Sequence, residues 1–318
     1  MKIFPNRYMM YGLILIVVLF PLLGKYWTGV ATFGLIWAIT AISQNIVMGY
    51  TGLLSIGQAA LFGIGAYTSA LLSIGGLPIW LSVMIGGLIA GVFSLLIGFP
   101  STRSRGIYFS IITMAFTLIA VEVFINLESL TGGLQGLSGI PSLEVDYRLT
   151  YFLFIVIAFL VLFMTKNLVD SSYGDAMLAI RENERLAKSM GISTENIKLL
   201  AFIISGCIAG VAGGLYAHYV TFIAPNNFNV MISFNILIFV IVGGVGSLWG
   251  PIIGALLLSF LPEFLQIEPN FKNLIYGILL AIIIILMPKG VASLLPRIRN
   301  FRVSKYNVMK ETEMEQGG

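Results

Sequence analysis

The densest run of chemically capable groups in this 318-residue chain lies at 167–197. It holds Asp175, Arg181, Glu182, Asn183, Glu184, Arg185 and Lys188, with Gly174, Ala179 and Gly191 set among them. Charges of both signs at close spacing, with no His or Cys between them, suit ion pairing and docking. They do not suit metal binding or nucleophilic attack. A second set is uncharged: Ser43, Gln44, Asn45, Ser55 and Gln58 gather around a glycine-rich break at 49–57. These residues can hydrogen-bond between helices or line a path. Glu122 stands apart, a carboxylate among Val121, Val123, Phe124 and Ile125. An acid inside an apolar helix costs enough to suggest a function. The structural alternative is a protonated or hydrogen-bonded helix contact.

Several chemistries lack their parts. The chain has one His (His218), one Cys (Cys207), no H-E-x-x-H and no paired acids within an apolar run. A lone cysteine excludes an internal disulfide framework. No G-x-x-x-x-G-K-[ST] occurs; the Gly24-Lys25 pair is followed by Tyr26. The chain therefore does not hold nucleotide phosphates by that motif.

The elements that position these residues are apolar. Hydrophobic residues make up 58% of the chain, charged residues 10%, and mean hydropathy is +0.97. A soluble domain carries roughly a quarter charged residues. A bilayer instead accepts helices of about 20 apolar residues whose backbone groups are satisfied internally. Ten candidate spans follow: 8–24, 28–48, 53–74, 78–99, 107–126, 150–166, 198–222, 231–247, 249–264 and 273–288. The expected fold is an all-α integral membrane protein of about ten transmembrane helices. The first span is read as retained, since no small-x-small cleavage site follows it. The break near Gly49 is compatible with a re-entrant turn, and 231–264 with one broken helix. The 35 glycines suit close helix packing.

Charge placement orients the layout. With the N-terminus cytoplasmic, Lys2, Arg7, Arg103, Arg105, Lys166, Arg181, Arg185, Lys188, Lys198, Lys289, Arg297, Arg299, Arg302, Lys305 and Lys310 fall inside. Only Lys25, Arg148 and Lys272 fall outside. That bias follows the positive-inside rule and puts both termini in the cytoplasm. Residues 1–290 form the transmembrane domain, and 291–318 a tail that is basic and then acidic. The tail reads as an anchor to anionic lipid or as a docking segment. Trp27, Trp37, Trp80 and Trp249 read as interface anchors, and His218 as interfacial.

The polar stretch then lies on the cytoplasmic side as a helix–turn–helix. Asp175 is expected to cap the first helix, with Gly191 as its stop and Ser193 or Thr194 opening the next. Ala176, Ala179, Ile180, Asn183, Ala187 and Met190 form its less polar face. Arg181, Glu182, Glu184, Arg185 and Lys188 form its solvated face. It serves either as a solvated connector or as a coupling helix seated in a cleft of a cytoplasmic motor.

The residues themselves resemble a family. Ser172-Tyr173-Gly174-Asp175, Ala179-Ile180-Arg181-Glu182-Asn183-Glu184, Ala187 and Gly191-Ile192 are similar to the coupling loop of branched-chain amino acid ABC importer permeases of the LivM type. Further similar stretches run in the same order. They are Gly49-Tyr50-Thr51-Gly52 through Gln58-Ala59-Ala60 to Gly63-Ile64-Gly65, then Leu130-Thr131-Gly132-Gly133 with Gly136 to Pro141. Gly210 to Ala217 and Gly243-Gly244-Val245-Gly246-Ser247-Leu248-Trp249-Gly250-Pro251 complete the series.

The resemblance implies a transporter subunit, not an enzyme, in a prokaryotic inner membrane. It implies two cytoplasmic ATPase subunits carrying the ATP and magnesium, a second permease of the LivH type and an external solute-binding protein. No cofactor is expected in this chain, and no nucleic-acid partner. Gly174, Asp175, Ala179, Arg181, Glu182, Asn183, Glu184, Arg185 and Gly191 would meet the ATPase. Asn45, Ser55, Gln58 and Glu122 are candidates for the translocation path. Substrates of similar permeases include leucine, isoleucine and valine, but also urea, short amides and aromatic acids. A secondary transporter, an intramembrane enzyme and a channel are the other readings. The first would not need the polar helix, the second lacks a catalytic constellation, and the third shows no charge ring or carbonyl filter.

Overall fold

The computed structural model describes residues 20–102, 104, 106–143 and 146–264, with 274, 277, 278 and 290 beyond them. The expected span 273–288, most of the span 8–24, Arg103, Arg105 and the tail from 291 lie outside the described residues. Ten principal helices follow one another. They are α1 (Lys25–Asn45), α2 (Gln58–Ile74), α3 (Ile79–Ser101), α4 (Ile107–Asn126), α5 (Tyr147–Val169), α6 (Ser172–Glu182), α7 (Glu184–Ser189), α8 (Thr194–Val220), α9 (Val230–Gly243) and α10 (Gly250–Phe264). A π-helical turn, Ile46–Tyr50, extends α1, and a 3-10 turn, Pro225–Phe228, precedes α9. Among the described residues, six of these segments are long and apolar enough to cross a bilayer, and α2 and α10 are shorter apolar helices. Eight of the ten expected spans thus coincide with observed helices. The proposed break of 231–264 falls at Gly244, between α9 and α10.

The helices pack through their small residues. On α3 the buried positions include Ser82, Gly86, Gly87, Ala90, Gly91, Ser94 and Gly98, while Met84, Leu88, Val92 and Leu96 face outward. That stripe recurs at three- and four-residue spacing, and its polarity is inverted relative to a soluble helix. Lipid is as apolar as leucine, so burial selects residues that permit close approach. Central α8 uses the same device against α2 and α3. A Cβ on Gly65 would collide with the Gly210 backbone, and one on Gly213 would collide with the Phe62 carbonyl. Toward one end, Trp37, Phe62, Tyr216 and Phe228 form a linked aromatic cluster. Trp37 stacks on Phe62 and meets Phe239, so it is a packing residue and not the interface anchor expected from its type.

His218 also departs from expectation. It is fully buried, with Nε2 2.9 Å from Ser69 Oγ and Nδ1 2.8 Å from the Pro141 carbonyl. A carbonyl only accepts, so Nδ1 carries the proton and Nε2 accepts from Ser69. The histidine pins the loop after α4 over the end of α8. That loop also pairs Leu137 with Ile223 and turns at Gly132, Gly136 and Gly139, whose φ values are +74°, +78° and +80°.

Candidate coupling and translocation site

The chain leaves α1 through its π turn and then runs without helical structure from 52 to 57 before α2 begins. Non-helical backbone inside a membrane protein is tolerated only where protein satisfies its polar groups. Here side chains do so from α1, from α4 and from the segment itself. Gln44 Nε2 donates to Ser55 O at 2.8 Å, Ser110 Oγ to Leu54 O at 2.7 Å and Thr117 Oγ1 to Ile56 O at 2.8 Å. Ile56 N donates to Thr113 Oγ1 at 3.0 Å, and Gly57 N to Ser55 Oγ at 3.2 Å. At the start of α2, Gln58 Nε2 reaches Ser43 Oγ at 2.5 Å and Ser205 Oγ at 3.1 Å. Ser55 and Gln58 are therefore buried structural donors and acceptors that hold a broken helix in register.

Asn45 joins two distant parts of the chain. Its Oδ1 accepts from Gly246 N at 2.9 Å, and its Nδ2 donates to Ser247 O at 2.9 Å. Ser247 Oγ in turn accepts from Gly250 N at 2.8 Å, at the first residue of α10. The last turn of α1 is thus tied to the turn that starts α10.

The polar loop stands beside this junction. Helix α6 begins at Ser172, one turn earlier than expected. Asp175 therefore lies within its first turn and does not cap it. A carboxylate there still opposes the positive end of the helix dipole. Gly174 packs so closely on α5 that a Cβ would strike the Val169 backbone. Gly174, Met177 and Ile180 form the buried face, with Ala179 half-buried beside them and Met190 exposed. Asn183 separates α6 from α7 as a true N-cap, its Oδ1 accepting from Arg185 N and Leu186 N, both at 3.1 Å. Gly191, at φ +85°, closes α7 where Ile192 N bonds back to Ala187 O at 3.1 Å. Gly191 follows α7 and not a single longer helix.

The charges divide into two groups. Arg181, exposed as expected, and Glu184, half-buried, also reach the membrane helices. Arg181 Nη1 donates to the Gly49 carbonyl. Glu184 pairs at 2.5 Å with Lys198, whose side chain is 2% exposed. Lys188 and Glu195 form an exposed pair at 3.7 Å. Glu182 and Arg185 stay exposed and engage no side chain among the described residues. The polar loop is thus a short, capped knob latched to the membrane helices, with Glu182 and Arg185 presented outward.

Glu122 lies elsewhere. Helix α4 buries Ser110, Thr113, Thr117, Ala120 and Phe124 against the non-helical segment and its neighbours. Glu122 projects from the opposite face, exposed beside Leu118, Ile119 and Val123. It lies apart from Asn45, Ser55 and Gln58, on an exposed face among the described residues.

Residues 26–287 match the family described as branched-chain amino acid transport system / permease component. The chain belongs to this family of transport permeases. The permease is 35% identical over 300 residues to the high-affinity branched-chain amino acid transport system permease protein LivM of Escherichia coli (strain K12), covering 85% of this chain and 70% of that one. It is 26% identical over 285 residues to the corresponding LivH protein of Salmonella typhimurium, covering 82% of this chain and 92% of that one. A probable LivM protein of Methanocaldococcus jannaschii is 26% identical over 234 residues, 67% of each chain. No solved structure matches the permease.

Two features of the site escape sequence reading. Lys198 reads as one more basic residue at a span end, yet it is the buried partner of Glu184. Its place between Ile197 and Leu199 in the second turn of α8, fourteen residues after Glu184, is the available signal. Gly246 and Ser247 belong to a glycine-rich stretch whose contact with Asn45 spans about two hundred positions, a separation that no local pattern reveals.

Proposed function

We propose that the permease is one of two membrane subunits of an ATP-driven importer of branched-chain amino acids, and that α6–α7 docks a separate ATPase. The observation that carries this reading is the latched knob itself. Two short helices are fixed by an N-cap and a buried ion pair, yet leave Glu182 and Arg185 exposed. A plain connector needs no such rigidity. The substrate class rests on the names of the LivM and LivH relatives, and the ATP and magnesium belong to the partner ATPases.

Charge supports the orientation. Lys166, Arg181, Arg185, Lys188 and Lys198 lie at the knob end of the bundle, against Lys25 and Arg148 at the other. The positive-inside rule makes the knob end cytoplasmic, in the inner membrane of a prokaryote. An external solute-binding protein would then meet the opposite end, where the loop pinned by His218 lies. The outer face of α4 is assigned to the second, LivH-type permease. Lipid cannot solvate the Glu122 carboxylate, whereas a protein interface enclosing the substrate path can.

The test is to assemble the complex with its ATPase and second permease and replace Glu182 and Arg185 together with Ala. ATPase docking should weaken by at least about tenfold, the loss of two or more interfacial contacts. Unchanged assembly and uptake would refute the docking assignment.

A further inference from the structure

We infer that Arg181 is a positioning residue that passes motion of the cytoplasmic knob to the broken ends of α1 and α10. This inference rests on the proposed ATP-driven function and concerns the step after docking. The first observation is the terminus that Arg181 meets. The last carbonyls of a helix lack partners within it and carry the negative end of its dipole. At the π turn closing α1, Thr51 Oγ1 and Leu53 N both bond Val47 O, at 2.6 and 3.3 Å. Gly49 O is taken by the Arg181 guanidinium. The cation of one element thus caps the end of another, 132 positions away in sequence.

The second observation is the absence of slack. Gly52, at φ +76°, lies so near α6 that an added Cβ would stand 3.3 Å from Arg181 Cγ and 3.6 Å from its Cα. Gly246, at φ +77°, lies on the other side, where a Cβ would collide with the guanidinium and stand 2.9 Å from Gly49 O. A Cβ on Gly49 would fall 2.7 Å from Gly246 N. Gly52 thus lies against the Arg181 stem and Gly246 against its guanidinium, while Asn45 ties the last turn of α1 to Gly246 and Ser247. A shift of α6 pulls on Gly49 through that bond and presses on Gly52 and Gly246, and so acts on the last turn of α1 and the turn before α10. The π turn is a natural yielding point, because such turns interrupt regular helix bonding and concentrate at functional sites.

A residue that only stabilised the fold would lower the amount of complex. A transmitting residue lowers the transport obtained per ATP hydrolysed. In the reconstituted complex, Arg181→Ala should leave ATPase docking and hydrolysis within about twofold of wild type. Uptake per ATP should fall on the order of tenfold, within the usual range of coupling between sites. Arg181→Lys keeps the charge but loses the planar fork, and should restore coupling only in part. It also carries the test if the alanine variant fails to accumulate in the membrane. An unchanged ratio of uptake to hydrolysis in both variants overturns the inference. So does a loss of ATPase docking equal to that of the Glu182 and Arg185 double variant, which would make Arg181 a docking residue. Absence of ATP-dependent uptake by the wild-type complex overturns the proposed function itself, and this inference with it.

Discussion

Lys198 shows how much single residues contribute to the knob. Its ammonium is almost wholly enclosed, while Glu184, its partner at 2.5 Å, keeps 28% of its side-chain surface. Removing one member of a buried ion pair costs chiefly through the charge left behind. Glu184→Ala strands the ammonium in the protein. Lys198→Met fills the same space and strands a carboxylate that can reach water. Glu184→Ala is therefore expected to cost about 3 kcal/mol and Lys198→Met clearly less. Thermal unfolding of the detergent-solubilised protein measures both, and the reverse order would contradict the burial described. Glu122 gives a second prediction at this scale. If its face of α4 borders the substrate path, Glu122→Gln should lower uptake about tenfold, matching one lost charge-assisted hydrogen bond of about 1.5 kcal/mol, with assembly intact. Wild-type uptake by that variant would return Glu122 to a structural role.

Helices pack here by shape more than by hydrophobicity, and this explains which parts of the fold the sequence discloses. Apolar length placed α3, α4 and α8 within a few residues, because a bilayer sets a length and charges mark the ends. Which face is buried was harder to read, since both lipid and protein accept Leu and Ile. Only the small and hydroxylated stripe, such as Ser110, Thr113, Thr117 and Ala120 on α4, marks the inner face. Aromatic and charged residues mislead for the same reason. Trp37 and His218 are types common at interfaces, yet tertiary partners hold them inside. Arg181 and Glu184 lie on short polar helices, and nothing local states that they bond Gly49 and Lys198. Glycine substitutions separate these effects. Gly65→Ala places a methyl on the Gly210 backbone, which cannot yield, and should cost about 2 kcal/mol or more. Gly191→Ala meets open space and carries only the strain of φ +85°, about 1 kcal/mol. Equal losses in thermal unfolding would contradict the packing of α2 against α8.

At the scale of the whole molecule, the alternating helices put the latched knob at one end and the His218-pinned loop at the other. The proposed membrane-sidedness rests on the charges and is directly checkable. In a Cys207→Ser background, a cysteine replacing exposed Leu186 on α7 should react with an impermeant thiol reagent only from the cytoplasmic side. One replacing exposed Leu134 should react only from outside. The opposite pattern would invert the orientation. The central claim is that this permease moves substrate when a separate ATPase acts on its α6–α7 knob. The most direct measurement is uptake of labelled leucine, isoleucine or valine into vesicles containing the assembled complex, with and without ATP on the knob side. Uptake that requires ATP and disappears when Glu182 and Arg185 are replaced is the predicted result. Uptake driven by an ion gradient without ATP, or unaffected by those replacements, would contradict it.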